Sequence, residues 1–260
     1  MSNQALIFFD IDGTLLDHDK KLPQSTKKAI AQLQAKGHIT AIATGRGPFM
    51  YLPLREELQI DSFVSFNGSY VVINGEVIFT NPLNGERLSE LTTEGLAKDQ
   101  PAVFMTEKAM HSNIDRHSAI DDSLATLKLD VTPSFDPEFN QAQEFYQTLF
   151  FIEKEDEQYY REKYPEFEFV RWHPLSVDVI PKGGSKAKGI EAAVKALNID
   201  PDHVYAFGDG LNDVEMLRTV KNSVAMGNAV PEAKEVAKYV TKDVDQDGIL
   251  HGLKMVGLLS

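Results

Sequence analysis

The stretch that decides the fold is "LIFFDIDGTLL", which runs from Leu6 to Leu16. A continuous apolar run such as "LIFF" is typical of a β-strand that is buried on both faces of a parallel sheet. Two carboxylates, Asp10 and Asp12, follow directly, and Gly13 then allows the chain to turn tightly. The sequence therefore predicts an acidic site at the carboxyl end of a buried strand.

The segments that follow continue in the pattern of βαβ units. The segment "QSTKKAIAQLQAKGH" (24–38) has apolar residues at helical spacing and predicts a helix, with Gly37 suited to its C-terminal cap. A second buried strand is predicted in "ITAIATGR" (39–46). The segment "FVSFNGSYVVINGEVIF" (63–79) predicts a third strand and then a hairpin that turns through Asn74 and Gly75.

The last 80 residues return to the same pattern. The segment "SKAKGIEAAVKALNI" (185–199) predicts a helix, and "HVYAFGDGLND" (203–213) predicts a strand that ends in a second acidic loop. The segment "SVAMGNAVPEAKEVAKYVT" (223–241) predicts a short strand, a helix and a final strand. Together with the first 80 residues, this part predicts an α/β core.

The middle of the chain differs in composition and charge. Residues 83–181 carry strand-like runs such as "FYQTLFFIE" and "FEFVRW", and they hold 20 acidic and 9 basic residues, a net charge of −11. The other 161 residues carry only −2 of the total charge of −13. We therefore predict a core formed by residues 1–82 and 182–260, with an α+β domain inserted at 83–181.

Composition excludes several classes of function. The chain has no cysteine, which rules out thiolate metal sites and Cys nucleophiles and favours a reducing, cytoplasmic setting. A net charge of −13 opposes binding to nucleic acid, and no apolar run is long enough to cross a membrane. The sequence gives no indication of the oligomeric state.

Polar residues follow three of the predicted strands, at the edge where ligands of parallel sheets bind. Carboxylates such as Asp10, Asp12 and Asp209 are hard oxygen ligands that suit Mg²⁺. Side chains and amides of the loop after the second strand, and a lysine at the start of the 185–199 helix, can bind a phosphoryl group. The residues after the strands are Asp10 and Asp12; Thr44, Gly45 and Arg46; and Asp209, Asn212 and Asp213.

Four segments in this order resemble the motifs of the haloacid dehalogenase superfamily, and more closely its Cof-type phosphatases with a type IIB cap. The segments are "DIDGTLL" (10–16), "TGR" (44–46), "KGGSK" (182–186) and "GDGLNDVEML" (208–217). The resemblance implies a Rossmann-like parallel-sheet core with an inserted C2B cap that governs substrate specificity. It also implies a Mg²⁺-dependent phosphomonoester hydrolase of the EC 3.1.3 type.

The resemblance also implies roles for the acidic residues. Asp10 matches the nucleophile that forms an aspartyl-phosphate, and Asp12 matches the general acid and base. Mg²⁺ would be held by the Asp10 side chain, the Asp12 backbone carbonyl and Asp209. Asp213 would either assist the metal or orient Lys186, and the sequence leaves that choice open.

Phosphate-binding roles follow from the same match. Thr44, Gly45, Lys186 and Asn212 correspond to the groups that bind the phosphoryl oxygens. Arg46 belongs to the same loop and could face the leaving group instead. Lys188 stays a rival to Lys186, because "SKAKG" offers two lysines.

We expect the substrate to be a small phosphorylated metabolite, with a sugar phosphate favoured by the acidic middle domain. A phosphosugar mutase is an alternative, because phosphomannomutases share the type IIB arrangement. A non-catalytic sensor of phosphorylated metabolites is a third possibility, but it predicts the loss of a residue such as Asp10 or Asp12, and both are present.

Overall fold

The computed structural model describes residues 4–127, 131–136 and 143–260. The chain divides into two compact units. The first unit contains Met1–Gly45, Pro53–Phe79 and Ser185–Ser260, and the second contains Arg46–Leu52 and Thr80–Gly184.

These limits lie three residues from the boundaries predicted at 82/83 and 181/182. The larger difference concerns residues 46–52, which were predicted in the core and group with the second unit. Within the predicted cap range, residues 128–130 and 137–142 lie outside the described part of the chain.

The strands are numbered in chain order. They are β1 Leu6–Phe9, β2 Ile39–Ala43, β3 Ser62–Ser65, β4 Tyr70–Ile73, β5 Glu76–Thr80, β6 Ala102–Met105, β7 Met110–Ser112, β8 Ser134–Phe135, β9 Gln147–Phe150, β10 Phe167–His173, β11 Ser176–Pro181, β12 Val204–Gly208, β13 Asn222–Ala225 and β14 Tyr239–Val240.

The α-helices are numbered in the same way. They are α1 Gln24–Ala35, α2 Leu52–Leu58, α3 Gly85–Leu96, α4 Ser118–Leu127, α5 Lys154–Lys163, α6 Lys186–Leu197, α7 Val214–Thr219, α8 Pro231–Val236 and α9 Gly248–Met255. No helix of the described residues is both long enough and apolar enough to span a bilayer.

The first unit is built on an eight-stranded sheet in the order β14-β13-β12-β1-β2-β3-β4-β5. Strands β14 to β3 are parallel, and β4 runs antiparallel to β3. The predicted hairpin is confirmed, since Asn74 and Gly75 turn between β4 and β5 with φ of 50° and 79°. The predicted α/β core with a parallel sheet is likewise confirmed.

Strand β1 is central because every one of its side chains is apolar. Residues 6–9 are all fully buried, between β2 on one side and β12 on the other. Phe9 lies opposite both Ile42 and Phe207, and its ring stacks on that of Phe207 at a centroid distance of 5.1 Å. This register places the carboxyl ends of β1, β2 and β12 at the same level, so the loops that follow them begin side by side.

The predicted helices of the first unit are confirmed. In α1, the buried residues Ala29, Ile30 and Leu33 lie at the spacing that gives one apolar face. Gly37 follows the helix at φ 82°, the left-handed conformation that commonly ends helices.

The second unit is the predicted α+β domain. Its six-stranded sheet has the order β10-β11-β9-β6-β7-β8 and is antiparallel except between β7 and β8. Aromatic side chains of strands and helices form a core of their own, in which the Phe150 and Tyr160 rings meet edge to face at 4.9 Å. The unit therefore has the hydrophobic core expected of a separate domain.

Candidate active site

The site begins where β1 ends. The backbone N–H of Asp10 donates to the carbonyl of Phe207 at 3.0 Å, which continues the ladder between β1 and β12 by one residue. The Asp10 side chain is only 9% exposed. A carboxylate at this depth needs a partner, because an isolated buried charge is costly.

Lys186 is that partner. Its Nζ donates to Asp10 Oδ1 and to Asp213 Oδ1, each at 2.6 Å, and its side chain is fully buried. Lys188, the rival in the sequence, is exposed. Burial alone lowers the pKa of Lys186, but Asp10 and Asp213 outweigh burial and raise the pKa above its ordinary range.

Two glycines bring Lys186 to this position. A Cβ on Gly68, which has φ 96°, would lie 2.0 Å from the Ser185 carbonyl oxygen. A Cβ on Gly189 would lie 2.4 Å from a methyl group of Val64. The first turn of α6 can therefore pack directly against the end of β3 and the turn that follows it.

Asp213 holds the second acidic loop together. Its Oδ2 accepts from the backbone N–H groups of Asp209 and Gly210, both at 2.9 Å, while its Oδ1 accepts from Lys186. The side chain is completely buried. Both oxygens are therefore engaged, which is the arrangement expected of a group that orients Lys186 and the loop.

Asp209 reaches the loop after β1. Its Oδ1 accepts from the Thr14 hydroxyl at 2.9 Å, and its Oδ2 lies 3.4 Å from the Asn228 amide nitrogen, which also donates to the Gly13 carbonyl at 2.8 Å. Gly13 has φ 80°, and a Cβ there would lie 2.2 Å from Asp209 Oδ2. Only glycine permits this close approach.

Oxygens of Asp10, Asp209 and Asp213 lie within 4.8 Å of one another. Burial, with the neighbouring carboxylates adding to it, raises the pKa of Asp10 to about 8 although Lys186 opposes the shift. Burial likewise raises the pKa of Asp209 to about 6, against the hydrogen bond from Thr14. Three carboxylates and one ammonium leave two negative charges in excess when all are ionised, and a divalent cation would balance them.

Asp12 is directed elsewhere. Its Oδ1 accepts from Lys20 Nζ at 2.6 Å, and its side chain is 36% exposed. The Asp12 side chain is thus not among the carboxylates of that cluster, and the metal role that the resemblance implied for Asp12 concerns its backbone carbonyl.

The loop after β2 supplies the remaining candidates. Thr44 is buried, and its carbonyl accepts from the Asn67 backbone N–H at 3.1 Å. A Cβ on Gly45 would lie 3.1 Å from the Asn67 side-chain amide, so the two loops are in close contact. Arg46 is half-buried and belongs to the second unit, and Asn212 is exposed at the start of the turn before α7.

Sequence reasoning gave no role to Thr14, Lys20 or Asn228. Thr14 and Asn228 lie in the segments "DGTL" and "MGNAV", so a signal was present, but their partners are 195 and 215 residues away along the chain. No sequence pattern indicated a role for Lys20, because a lysine in a polar loop is usually solvated.

Comparison with known proteins gives one family. A model of the haloacid dehalogenase-like hydrolases matches residues 7–253. The chain is 48% identical to the "Putative phosphatase YkrA" of Bacillus subtilis strain 168, over 99% of both chains.

Solved structures agree with this similarity. A hypothetical protein from Geobacillus kaustophilus HTA426 superposes with a TM-score of 0.95 at 50% identity, over 98% of this chain and 100% of that one. The subclass IIB sugar phosphatase BT4131 superposes with a TM-score of 0.84 at 32% identity, over 98% of this chain and 100% of that one.

Proposed function

Because this chain belongs to the haloacid dehalogenase-like hydrolase family and is a phosphatase, we propose that it hydrolyses small phosphorylated metabolites with Mg²⁺, through a phosphoryl group carried on Asp10. Its eight-stranded unit is the Rossmann-like core of that family and its inserted unit is a C2B cap. The observation that supports the mechanism best is the contact of Lys186 with Asp10 at 2.6 Å.

Asp10 is the proposed nucleophile. The ion pair with Lys186 opposes the rise in the Asp10 pKa that burial causes, and a bound cation would further favour the carboxylate that attacks phosphorus. A lysine ammonium has three N–H groups, and two of them point to Asp10 and Asp213. We assign the third to a phosphoryl oxygen of the substrate, so that one residue both holds the nucleophile and binds the transferred group.

The carboxylate cluster fits a divalent metal. Asp10 and Asp209 have raised pKa values, which is the mark of negative groups held close together in a buried place. We assign the metal to the side chains of Asp10 and Asp209 and the backbone carbonyl of Asp12, while Asp213 orients Lys186 and the loop. Bound Mg²⁺ would offset the repulsion between the anionic nucleophile and the anionic phosphate.

The other groups have supporting roles in the proposal. Asp12 protonates the leaving oxygen and then takes a proton from water. Thr44 and Gly45, together with Asn212, donate hydrogen bonds to the phosphoryl group, and Arg46 faces the leaving group.

A sugar phosphate is the proposed substrate class. The cap region carries 20 acidic and 9 basic residues, a charge that disfavours leaving groups with further phosphates. The relative BT4131, at 32% identity, is named a sugar phosphatase. The absence of cysteine agrees with the cytoplasm as the proposed compartment.

Release of inorganic phosphate tests the proposal. A panel of phosphorylated sugars, nucleotides and cofactors is incubated with Mg²⁺ or EDTA, using the wild type, Asp10→Asn and, as a matched control, the exposed Asp19→Asn. We expect release only with Mg²⁺, none from Asp10→Asn, and normal release from Asp19→Asn. Isomerised sugar phosphate without free phosphate would instead identify a mutase.

A further inference from the structure

Lys20 pairs with Asp12, the second carboxylate of the acidic turn. The distance from Lys20 Nζ to Asp12 Oδ1 is 2.6 Å, and both side chains are 36% exposed. An ion pair between half-exposed side chains adds little to stability, because solvent screens it and both side chains lose freedom. Stability is therefore a weak reason for the pair.

The loop that carries Lys20 is built to hold it in place. Oδ1 of Asp17 accepts from the backbone N–H groups of Asp19 and Lys21, both at 2.9 Å. The Asp17 N–H donates to the Lys21 carbonyl at 2.9 Å, and the Lys20 N–H donates to the Asp17 carbonyl at 3.0 Å. These four bonds fix the path of the chain over five residues.

Within this loop, Lys20 adopts φ 62°, in the left-handed region. Glycine takes that conformation without strain, whereas a lysine does not. Glycine at position 20 would therefore form this turn with less strain than Lys20 does. The side chain of this strained residue is the one that contacts Asp12.

We propose that Lys20 is a positioning residue for Asp12, and that it holds the Asp12 carboxyl group in the orientation from which it exchanges protons during phosphate transfer. The inference rests on the acid and base role given to Asp12 in the proposed function. It adds a residue from outside the four motifs to the machinery of the reaction.

The bond changes make the consequence specific. In the first step a carboxylate oxygen of Asp10 bonds to phosphorus, the bond to the leaving oxygen breaks, and the Asp12 proton passes to that oxygen. In the second step water attacks the phosphorus, its proton passes to Asp12, and the Asp10 carboxylate is released. Lys20 makes and breaks no covalent bond in either step.

The hydrolysis rate of an ester whose leaving group needs no proton should therefore not depend on Lys20. The alkoxide of a sugar is a strong base and leaves only when it is protonated, whereas 2,4-dinitrophenolate leaves as the anion. Loss of the positioning contact should slow the first class selectively, because only that class depends on where the Asp12 proton is delivered.

The test compares kcat/KM for a sugar phosphate, phenyl phosphate and 2,4-dinitrophenyl phosphate in Lys20→Met, Lys20→Arg and the control Lys21→Met. Lys21 is in the same loop, its side chain is 76% exposed, and its Nζ lies 3.7 Å from Asp19 Oδ2. Lys21→Met changes the net charge by the same amount as Lys20→Met. We expect Lys20→Met to lose about 10–10²-fold on the sugar phosphate and less than about twofold on the dinitrophenyl ester. Lys20→Arg should restore most of the loss, and Lys21→Met should resemble the wild type.

An equal loss on all three substrates would overturn the inference, since a structural or charge-attracting role acts on every phosphate ester alike. No loss on any substrate would overturn it too. Melting temperatures show whether each variant is folded. Failure of the proposed function is seen separately. It would appear as activity that survives the single substitution Asp10→Asn, or as a wild type that releases no phosphate.

Discussion

Each unit of the molecule holds an aspartate whose carboxyl group is shielded from water, Asp10 almost completely and Asp178 in part, and the two carboxyl groups have different partners. In the first unit, the Lys186 ammonium lies 2.6 Å from Asp10. In the second unit, no basic side chain of the described residues forms an ion pair with Asp178 on β11. Burial raises the pKa of Asp178 to about 7, and nearby polar groups of Gln147 and Trp172 lower it only in part.

The neighbours of the two aspartates differ in the same way. Around Asp10, both oxygens of Asp213 accept hydrogen bonds, and Lys186 joins the two carboxylates. Around Asp178, buried polar atoms lack a hydrogen-bond partner among the described residues. These atoms are Gln147 Oε1 and Ser176 Oγ.

This difference between the surroundings of Asp10 and Asp178 indicates whether a substitution should affect activity or stability. A closed network of charges loses function when any member is removed, because the partners left behind are buried and charged. A buried acid without a countercharge is a cost to folding, about 1–3 kcal/mol for an ordinary unsatisfied polar group, so its removal should act on stability. Three substitutions test this contrast.

The largest effect is expected from Lys186→Met. The change removes a phosphate-binding ammonium and leaves Asp10 and Asp213 buried without a cation. We expect kcat to fall by at least about 10³-fold, and the free energy of unfolding to fall by about 3–5 kcal/mol. Steady-state kinetics and chemical denaturation at pH 7.5 measure the two effects.

Lys188→Met is the matched control for that prediction. It removes the same charge two residues further along α6, from an exposed position. We expect near wild-type activity and stability. If Lys188→Met were the inactive variant, Lys188 would be the phosphate-binding lysine and the contrast between the two buried acids would lose its basis.

Gly13→Ala should have the next largest effect. A Cβ at this position would meet Asp209 Oδ2 at 2.2 Å, so either the loop or the carboxylate must move. We expect about 10²-fold lower kcat/KM, since small displacements of catalytic groups cost that much, and a higher Mg²⁺ concentration for half-maximal activity. A titration of activity with Mg²⁺ measures both quantities.

Gly37→Ala is the control that separates the strain of a left-handed alanine from the steric clash of a Cβ at position 13 with Asp209. Gly37 has φ 82°, close to the 80° of Gly13, but a Cβ there meets nothing within 4 Å. Both variants should lose about 1–2 kcal/mol of stability from a left-handed alanine, and only Gly13→Ala should lose activity. Equal activity in the two variants would show that Asp209 does not need its observed position.

The sequence carries much of the fold and of this site for a physical reason. The run "LIFF" has no polar residue, so it predicts burial on both faces, and all four residues are fully buried. The position of Asp10 and Asp209 then follows, because parallel strands bring their carboxyl ends to one edge. Spacing from "KGGS" favoured Lys186 but left Lys188 open, and the two lysines differ in burial, Lys186 being buried and Lys188 exposed.

Long-range contacts account for what the sequence left out. The hydrogen bond from Thr14 to Asp209 and that from Asn228 to Gly13 connect opposite ends of the chain. The contact of Lys20 with Asp12 depends on a left-handed residue that no local pattern signals. Residues 46–52 group with the second unit although they lie in the first 82 residues, because spatial contacts rather than order along the chain define a domain.

Asp178→Asn should leave activity unchanged and act on stability alone, with a characteristic pH dependence. Below about pH 4 the carboxyl group is protonated in both the folded and the unfolded state. Between the ordinary pKa of 3.8 and the folded value of about 7, the unfolded state releases the proton while the folded state keeps it, so the wild type loses stability as the pH rises. Asparagine does not titrate, so the variant escapes this loss.

The free energy of unfolding of Asp178→Asn minus that of the wild type should therefore increase from pH 4 to pH 7 and then level off. Each pKa unit corresponds to about 1.4 kcal/mol, so the increase should be on the order of 2–4 kcal/mol. Asp122→Asn, the same substitution at an exposed acid of the same unit, is the matched control. If the difference for Asp178→Asn did not change with pH, Asp178 would be ionised in the folded protein and would have a countercharge. The contrast between Asp178 and Asp10 would then not hold.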